Sequence, residues 1–158
     1  LGLLLIALIG CAWLTGSTFA QNGLTVEIST ENEVYRVGQP VGITYTVVND
    51  TGQTINIKRA DCTPTFSVVV YDLDDNLVWN SEDCPICCCT CCQCPIRIIQ
   101  RDILPGETVF ENDTTWRQVQ TVRRETCGCV TQPVLPGFYY LIGQVLDAMS
   151  DPILVEIR

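Results

Sequence analysis

The chain has 158 residues, 47% of them hydrophobic, with 18 acidic against nine basic side chains, no histidine and a formal charge of −9. That balance argues against nucleic acid or an anionic membrane surface as partner, because both need clustered cations for counterion release. The absence of histidine removes the usual general base, the usual zinc ligand beside thiolate and any Cys-x-x-Cys-His haem attachment. Lys58 is the only lysine, and nothing in its polar strand context pairs it with a nucleophilic serine, so an enzyme is not expected and no cofactor is implied.

Leu1 to Leu14, LGLLLIALIGCAWL, is an apolar run too short to span a bilayer comfortably and is followed by small and polar residues. It reads as the core of a signal peptide occupying 1–20, with the true start upstream. Thr18-Phe19-Ala20 offers small residues for a signal peptidase, whereas Leu8-Ile9-Gly10-Cys11 resembles a bacterial lipobox with Cys11 as the lipidated residue. Either route exports the protein, as a secreted, cell-surface or lipid-anchored chain. Residues 21–158, roughly 135 of them, suit one domain with a single core.

Leu24, Val26 and Ile28 alternate with Thr25, Glu27 and Ser29, the period of a half-buried strand. A short edge piece is expected within Glu31 to Arg36, before the Gly38-Gln39-Pro40 break. Val41, Ile43, Tyr45 and Val47 then point one way along the cleanest strand in the chain. Asn49 to Gly52 makes a turn, and Ile55 and Ile57 alternate beyond it. Phe66 to Asn80, FSVVVYDLDDNLVWN, reads as a hairpin: Phe66, Val68 and Val70 on one face, Asp74, Asp75 and Asn76 as the turn, and Leu77, Val78 and Trp79 opening the return strand. So apolar a hairpin needs sheets on both sides.

Ile96, Ile98 and Ile99 mark another strand, Leu104-Pro105-Gly106 a turn, and Val109 to Glu111 one more. Val119 and Val122 suggest a strand, Cys127-Gly128-Cys129 a loop. Pro136-Gly137 leads into Phe138 to Leu146, and Ile153, Val155 and Ile157 close the chain. Roughly nine short strands punctuated by Gly, Pro and Asn, with no helical period, predict an all-β protein, an antiparallel β-sandwich. Trp79, Trp116, Phe66 and Tyr45 are the expected core aromatics.

Several of these pieces together resemble the BsuPI-type intracellular proteinase inhibitor domain of bacteria. They are Val47-Val48-Asn49 before a Thr/Gly turn, Tyr71-Asp72 and Val78-Trp79 within Phe66 to Trp79, Leu104-Pro105-Gly106-Glu107 with Phe110 and Trp116, and Leu135-Pro136-Gly137-Phe138-Tyr139. The resemblance covers roughly Leu24 to Val145. It implies an immunoglobulin-like domain whose activity is inhibition of a subtilisin-type serine proteinase, and it supplies no reactive-site residue. Two features depart from the family. Asp75 stands where the family turn carries Gly, which predicts another turn type or a left-handed aspartate, and this chain has an export signal and a cysteine insertion.

That insertion, at 84–94, places Cys84, Cys87, Cys88, Cys89, Cys91, Cys92 and Cys94 within eleven residues. With Cys62, Cys127 and Cys129 they make ten cysteines once Cys11 is set aside, an even number that suits disulfides in an exported protein. Adjacent cysteines bond each other only with strain, so Cys87, Cys88 and Cys89 need partners elsewhere, Cys127 and Cys129 foremost. Three outcomes stay open: disulfides within the chain, disulfides between chains that would make a surface or matrix subunit, and a thiolate Zn or Cu(I) cluster drawn from Cys84, Cys87, Cys88, Cys91 and Cys94.

Asp72, Asp74 and Asn76 match the first ligand positions of a calcium loop, but Leu77 stands where that loop needs Gly and Asp83 where it needs Glu, so an acidic turn is the expectation. Asn49-Asp50-Thr51 and Asn112-Asp113-Thr114 fit the N-glycosylation pattern. The functional expectation is an exported module that binds a protein partner and blocks it sterically with a rigid, cross-linked loop.

Overall fold

The computed structural model describes residues 23–60, 66–82, 98–123 and 129–158. Thirteen strands occupy them, more than the nine expected. They are β1 (Leu24–Thr30), β2 (Val34–Tyr35), β3 (Val41–Asn49), β4 (Ile55–Ala60), β5 (Ser67–Asp72), β6 (Leu77–Asn80), β7 (Ile98–Ile103), β8 (Thr108–Trp116), β9 (Val119–Arg123), β10 (Cys129–Pro133), β11 (Gly137–Val145), β12 (Ala148–Met149) and β13 (Ile153–Ile157). The strands not anticipated by alternation are β10, which completes a ribbon with β9, and the two-residue β12 at the end of β11. Among the described residues no helix is long and apolar enough to cross a membrane.

One sheet has the order β1-β3-β8; the larger has β2-β13-β11-β5-β6, with β12 on the end of β11. The pairings are antiparallel except that β2 runs parallel to β13, Val34 opposite Glu156 and Tyr35 opposite Ile157. The first segment of the domain therefore begins in one sheet as β1 and crosses to the other as β2. This division of strands, with the chain's first segment shared between sheets, is that of an immunoglobulin-like β-sandwich. Two ribbons, β4-β7 and β9-β10, are added to this frame.

The alternation seen in the sequence becomes the core. Leu24, Val26 and Ile28 of β1 and Val41, Ile43, Tyr45 and Val47 of β3 meet Val68 and Val70 of β5, Leu141 and Val145 of β11, and Val155 and Ile157 of β13. Tyr45 stacks obliquely on Phe66 at 5.6 Å, and Trp116 meets Tyr139 edge-on at 5.2 Å. Trp116 is fully buried, as expected, and its indole N–H donates to the Val119 carbonyl at 3.0 Å. Trp79, expected in the core, is only partly buried and packs against its margin, because β6 is the edge strand of its sheet.

Tyr139 supplies a further hallmark of the fold. Its hydroxyl donates to the Leu135 carbonyl at 2.6 Å, four residues upstream, which ties the entry of β11 to the strand it begins.

The central hairpin differs from its one-faced reading. Ser67 and Val69 are buried along with Val68 and Val70, so β5 is covered on both faces. It lies between β11 and β6, with Val69 flanked by its register partners Ile142 and Asn80. A bulge between Val70 and Tyr71 lets Tyr71 pair with Leu77 and Val70 with Trp79, leaving Val78 as the additional residue.

Buried polar side chains fasten the loops. Asn49 donates to the carbonyls of Gln53 at 2.9 Å and Ile103 at 2.8 Å, and its side-chain oxygen accepts from the Thr51 N–H and hydroxyl. Its backbone adds bonds to Gly106 and Glu107, so one residue ties the β3–β4 turn to the β7–β8 turn. Gln118, in a left-handed conformation at φ 56°, bonds Gly38, Arg36 and Gln39 and ties the β2–β3 turn to the end of β8.

Candidate functional site

The outer face of the larger sheet departs from what a solvated antiparallel sheet requires. Such a face normally alternates to polar residues. Here Leu77, Tyr71, Tyr140 and Leu154 are successive register partners across β6, β5, β11 and β13, an apolar row about 14 Å long. Val69 and Ile142 are paired beside it on one side, and Phe138 lies beside it on the other, next to Glu156. Leu77, Phe138 and Leu154 are 54%, 44% and 46% exposed, and Tyr71, Tyr140 and Ile142 are half-buried. Exposed apolar surface that is contiguous across strands marks a contact face more often than scattered single residues do.

A shallow hollow of about 430 Å³ opens in this face, lined by Tyr71, Tyr140, Ile142, Pro152 and Asp75. Asp75 belongs to the β5–β6 turn, whose geometry explains why it is available there. The Asp72 carboxylate accepts the backbone N–H groups of Asp74 and Asn76, each at 2.9 Å, and the Asn76 side-chain amide at 2.9 Å. The Asn76 side chain and then its backbone N–H hold the Asp72 carboxyl below the ordinary carboxylate range. With Asp72 satisfied inside the turn, Asp74 and Asp75 face solvent. Asp75 takes φ 60°, the left-handed residue expected where the BsuPI-like pattern has Gly. At the end of the same strand pair, burial and then the Asp72 charge push the Tyr139 phenol up.

A second hollow, about 290 Å³, lies at one pole between Leu24, Thr51, Gln53, Thr54, Ile55, Leu146, Asp147 and Ala148. It joins the start of β1 to the β3–β4 turn, and among the described residues its lining holds no aromatic side chain.

The residues singled out by the sequence fall unevenly. Cys11, Cys62, Cys84, Cys87, Cys88, Cys89, Cys91, Cys92, Cys94 and Cys127 lie outside the described residues, as does the expected signal segment. Cys129, expected in a loop, opens β10 opposite Arg123, because the β9-β10 ribbon pairs all the way to that position. Tyr45, Phe66 and Trp116 are core, and Phe66 also carries the Arg101 guanidinium over its ring at 5.5 Å while Arg101 pairs with Glu111. Asn49 is completely buried with its amide nitrogen bonded twice, so the folded protein offers no acceptor for glycosylation there. Asn112 is exposed on β8. Among the described residues no three His, Cys, Asp or Glu side chains are grouped to hold a metal ion.

The apolar row was not read as a site from the sequence. Its signal was present in FYYLI and ILVEI, where apolar residues occupy both parities of a strand. Only the register aligns the four outward side chains of separate strands.

No family model matches the sequence, and no curated protein matches it either. Solved structures resemble the fold at low identity. The alkylpurine DNA glycosylase AlkC of Pseudomonas fluorescens is 8% identical with a TM-score of 0.51, over 86% of this chain and 30% of that one. A β-glucosidase of Listeria innocua is 11% identical with a TM-score of 0.47, over 85% of this chain and 16% of the enzyme. The CARDB domain of the PF1109 protein of Pyrococcus furiosus is 16% identical with a TM-score of 0.43, over 85% of this chain and 87% of that one. The chain thus spans less than a third of the length of the two enzymes, and at these identities the likeness is one of fold alone.

Proposed function

We propose that this chain is an exported, non-enzymatic binding module that engages a protein partner through the outer face of its larger sheet. The carrying observation is the apolar row Leu77-Tyr71-Tyr140-Leu154, which crosses four strands at a place where a solvated sheet would be polar. Tyrosines suit such a role, since each offers a large apolar area, a polar tip and few torsions to freeze. The lack of histidine supports binding over catalysis.

The narrower form of the reading is steric inhibition of a subtilisin-type serine proteinase, which the resemblance to BsuPI-type inhibitors implies. Disulfides formed by the cysteine insertion would stiffen the module in an oxidising compartment and lower the ordering cost of binding.

Titrating subtilisin with the purified full chain tests the narrower form: hydrolysis of a peptide substrate falls in proportion to added protein. Full proteinase activity at micromolar excess removes that form. The broader reading is tested by oxidative footprinting, in which a bound partner lowers modification of Tyr71 and Tyr140. A partner complex that leaves both tyrosines as reactive as in the free chain would sink it.

A further inference from the structure

We infer that the hollow between Tyr71 and Tyr140 receives a cationic side chain, arginine or lysine, from an otherwise apolar segment of the partner polypeptide. The inference rests on the sheet face being the docking surface and adds the chemistry of what docks there. Its first support is the lining. Among the described residues, two tyrosines, Ile142 and Pro152 surround a single charged residue, Asp75, and no lysine or arginine lines the hollow. A cation over a tyrosine ring is attracted by the ring quadrupole, and a carboxylate at the rim adds a charge-assisted hydrogen bond.

The surrounding charge points the same way. Asp74 neighbours Asp75 on the exposed turn, Asp151 adjoins Pro152 and is exposed, and Glu156 pairs with Phe138 on the same sheet face. Arg36 and Arg158 directly follow Tyr35 and Ile157 at the ends of β2 and β13, and neither lines the hollow. With a formal charge of −9, the chain opposes docking of a second copy or of an acidic segment on this face. The hollow is also open to solvent, which suits the tip of a long side chain more than an enclosed small ligand.

The backbone supplies a separate argument. Asp75 holds φ 60°, where glycine would sit without strain. A strained non-glycine residue whose side chain lines a hollow is the pattern expected when the side chain is needed.

The test is an NMR titration of the isotope-labelled full chain with three acetylated pentapeptide amides that alternate leucine with arginine, with glutamine or with glutamate. The arginine peptide is expected to shift the Tyr71 and Tyr140 ring signals and the Asp75 amide, and the glutamate peptide to leave them in place. Asp75→Asn, which keeps a residue tolerant of the left-handed conformation, should weaken the arginine peptide about fivefold. Equal shifts with all three peptides, or undiminished affinity in Asp75→Asn, overturn the cation preference while leaving the docking face intact. No shift on this face with any peptide overturns both.

Discussion

At Asn49 a single side chain substitutes for secondary structure. Its amide and carbonyl oxygen satisfy four partners in two turns, inside a site with no access to water. Asn49→Ala removes those bonds and takes from the buried Ile103 carbonyl its Asn49 donor, so denaturant unfolding should report a loss of about 2–4 kcal/mol. Asp75 works in the opposite sense. Asp75→Gly relieves the left-handed strain at φ 60° and should raise stability by about 0.5–1 kcal/mol, measured by the same unfolding midpoint, while weakening partner binding. A glycine variant that is less stable than the parent would show that the aspartate side chain holds the turn.

The two titrating residues at this end of the sheet act at opposite pH extremes. Asp72 is held below the ordinary carboxylate value, so its contribution is present above about pH 4 and is lost as pH falls through its lowered folded value. Tyr139 is pushed above the ordinary phenol value, so its contribution is complete below about pH 10 and is lost as pH rises through its folded value. Tyr139→Phe keeps the ring against Trp116 but loses the bond to Leu135, an expected cost of about 1 kcal/mol. In a pH series of melting temperatures, that variant should also lose the alkaline drop due to Tyr139.

At the level of elements, β11 packs tightly against the opposite sheet at Gly143. Gly143 pairs with Val68, donates its N–H to the Ser150 hydroxyl, accepts the Ser150 N–H at its carbonyl, and faces Ile28 of β1 and Tyr45 of β3. A Cβ added there would overlap the Ile28 side chain and press on the Tyr45 ring at 3.0 Å, two groups already fixed in the core. Gly143→Ala should therefore destabilise the protein by about 1–3 kcal/mol through overpacking, read as a lower thermal midpoint. A neutral result would mean that β1 can slide away from β11, and that the sandwich is looser than its register suggests. The β5–β6 hairpin makes a related point: its bulge puts Tyr71 and Leu77 on the same outward row, so one unpaired residue decides which side chains reach the candidate face.

At the level of the molecule, the candidate face should be separable from stability. Leu154 is about half exposed at the β13 end of the row, so Leu154→Ser should leave unfolding within about 0.5 kcal/mol of the parent. The same change should weaken partner binding by at least tenfold if the row is the contact surface, because a truncated anchor leaves its pocket unfilled. Equal affinity for parent and variant would move the contact surface elsewhere on the sandwich.

Alternation along Leu24–Ile28 and Val41–Val47, the turn residues at Pro136-Gly137 and Leu104-Gly106, and the acidic hairpin were legible in the sequence because each is a local pattern with a period or a turn preference. So were the buried roles of Tyr45, Phe66 and Trp116. What no local pattern contains is pairing: that β1 and β2 belong to different sheets, that Trp79 sits on an edge strand, that Cys129 joins a ribbon, and that Leu77, Tyr71, Tyr140 and Leu154 line up. Side-chain period fixes which residues share a face of one strand. Hydrogen-bond register between distant strands fixes which of those faces meet, and that is where the candidate site arises.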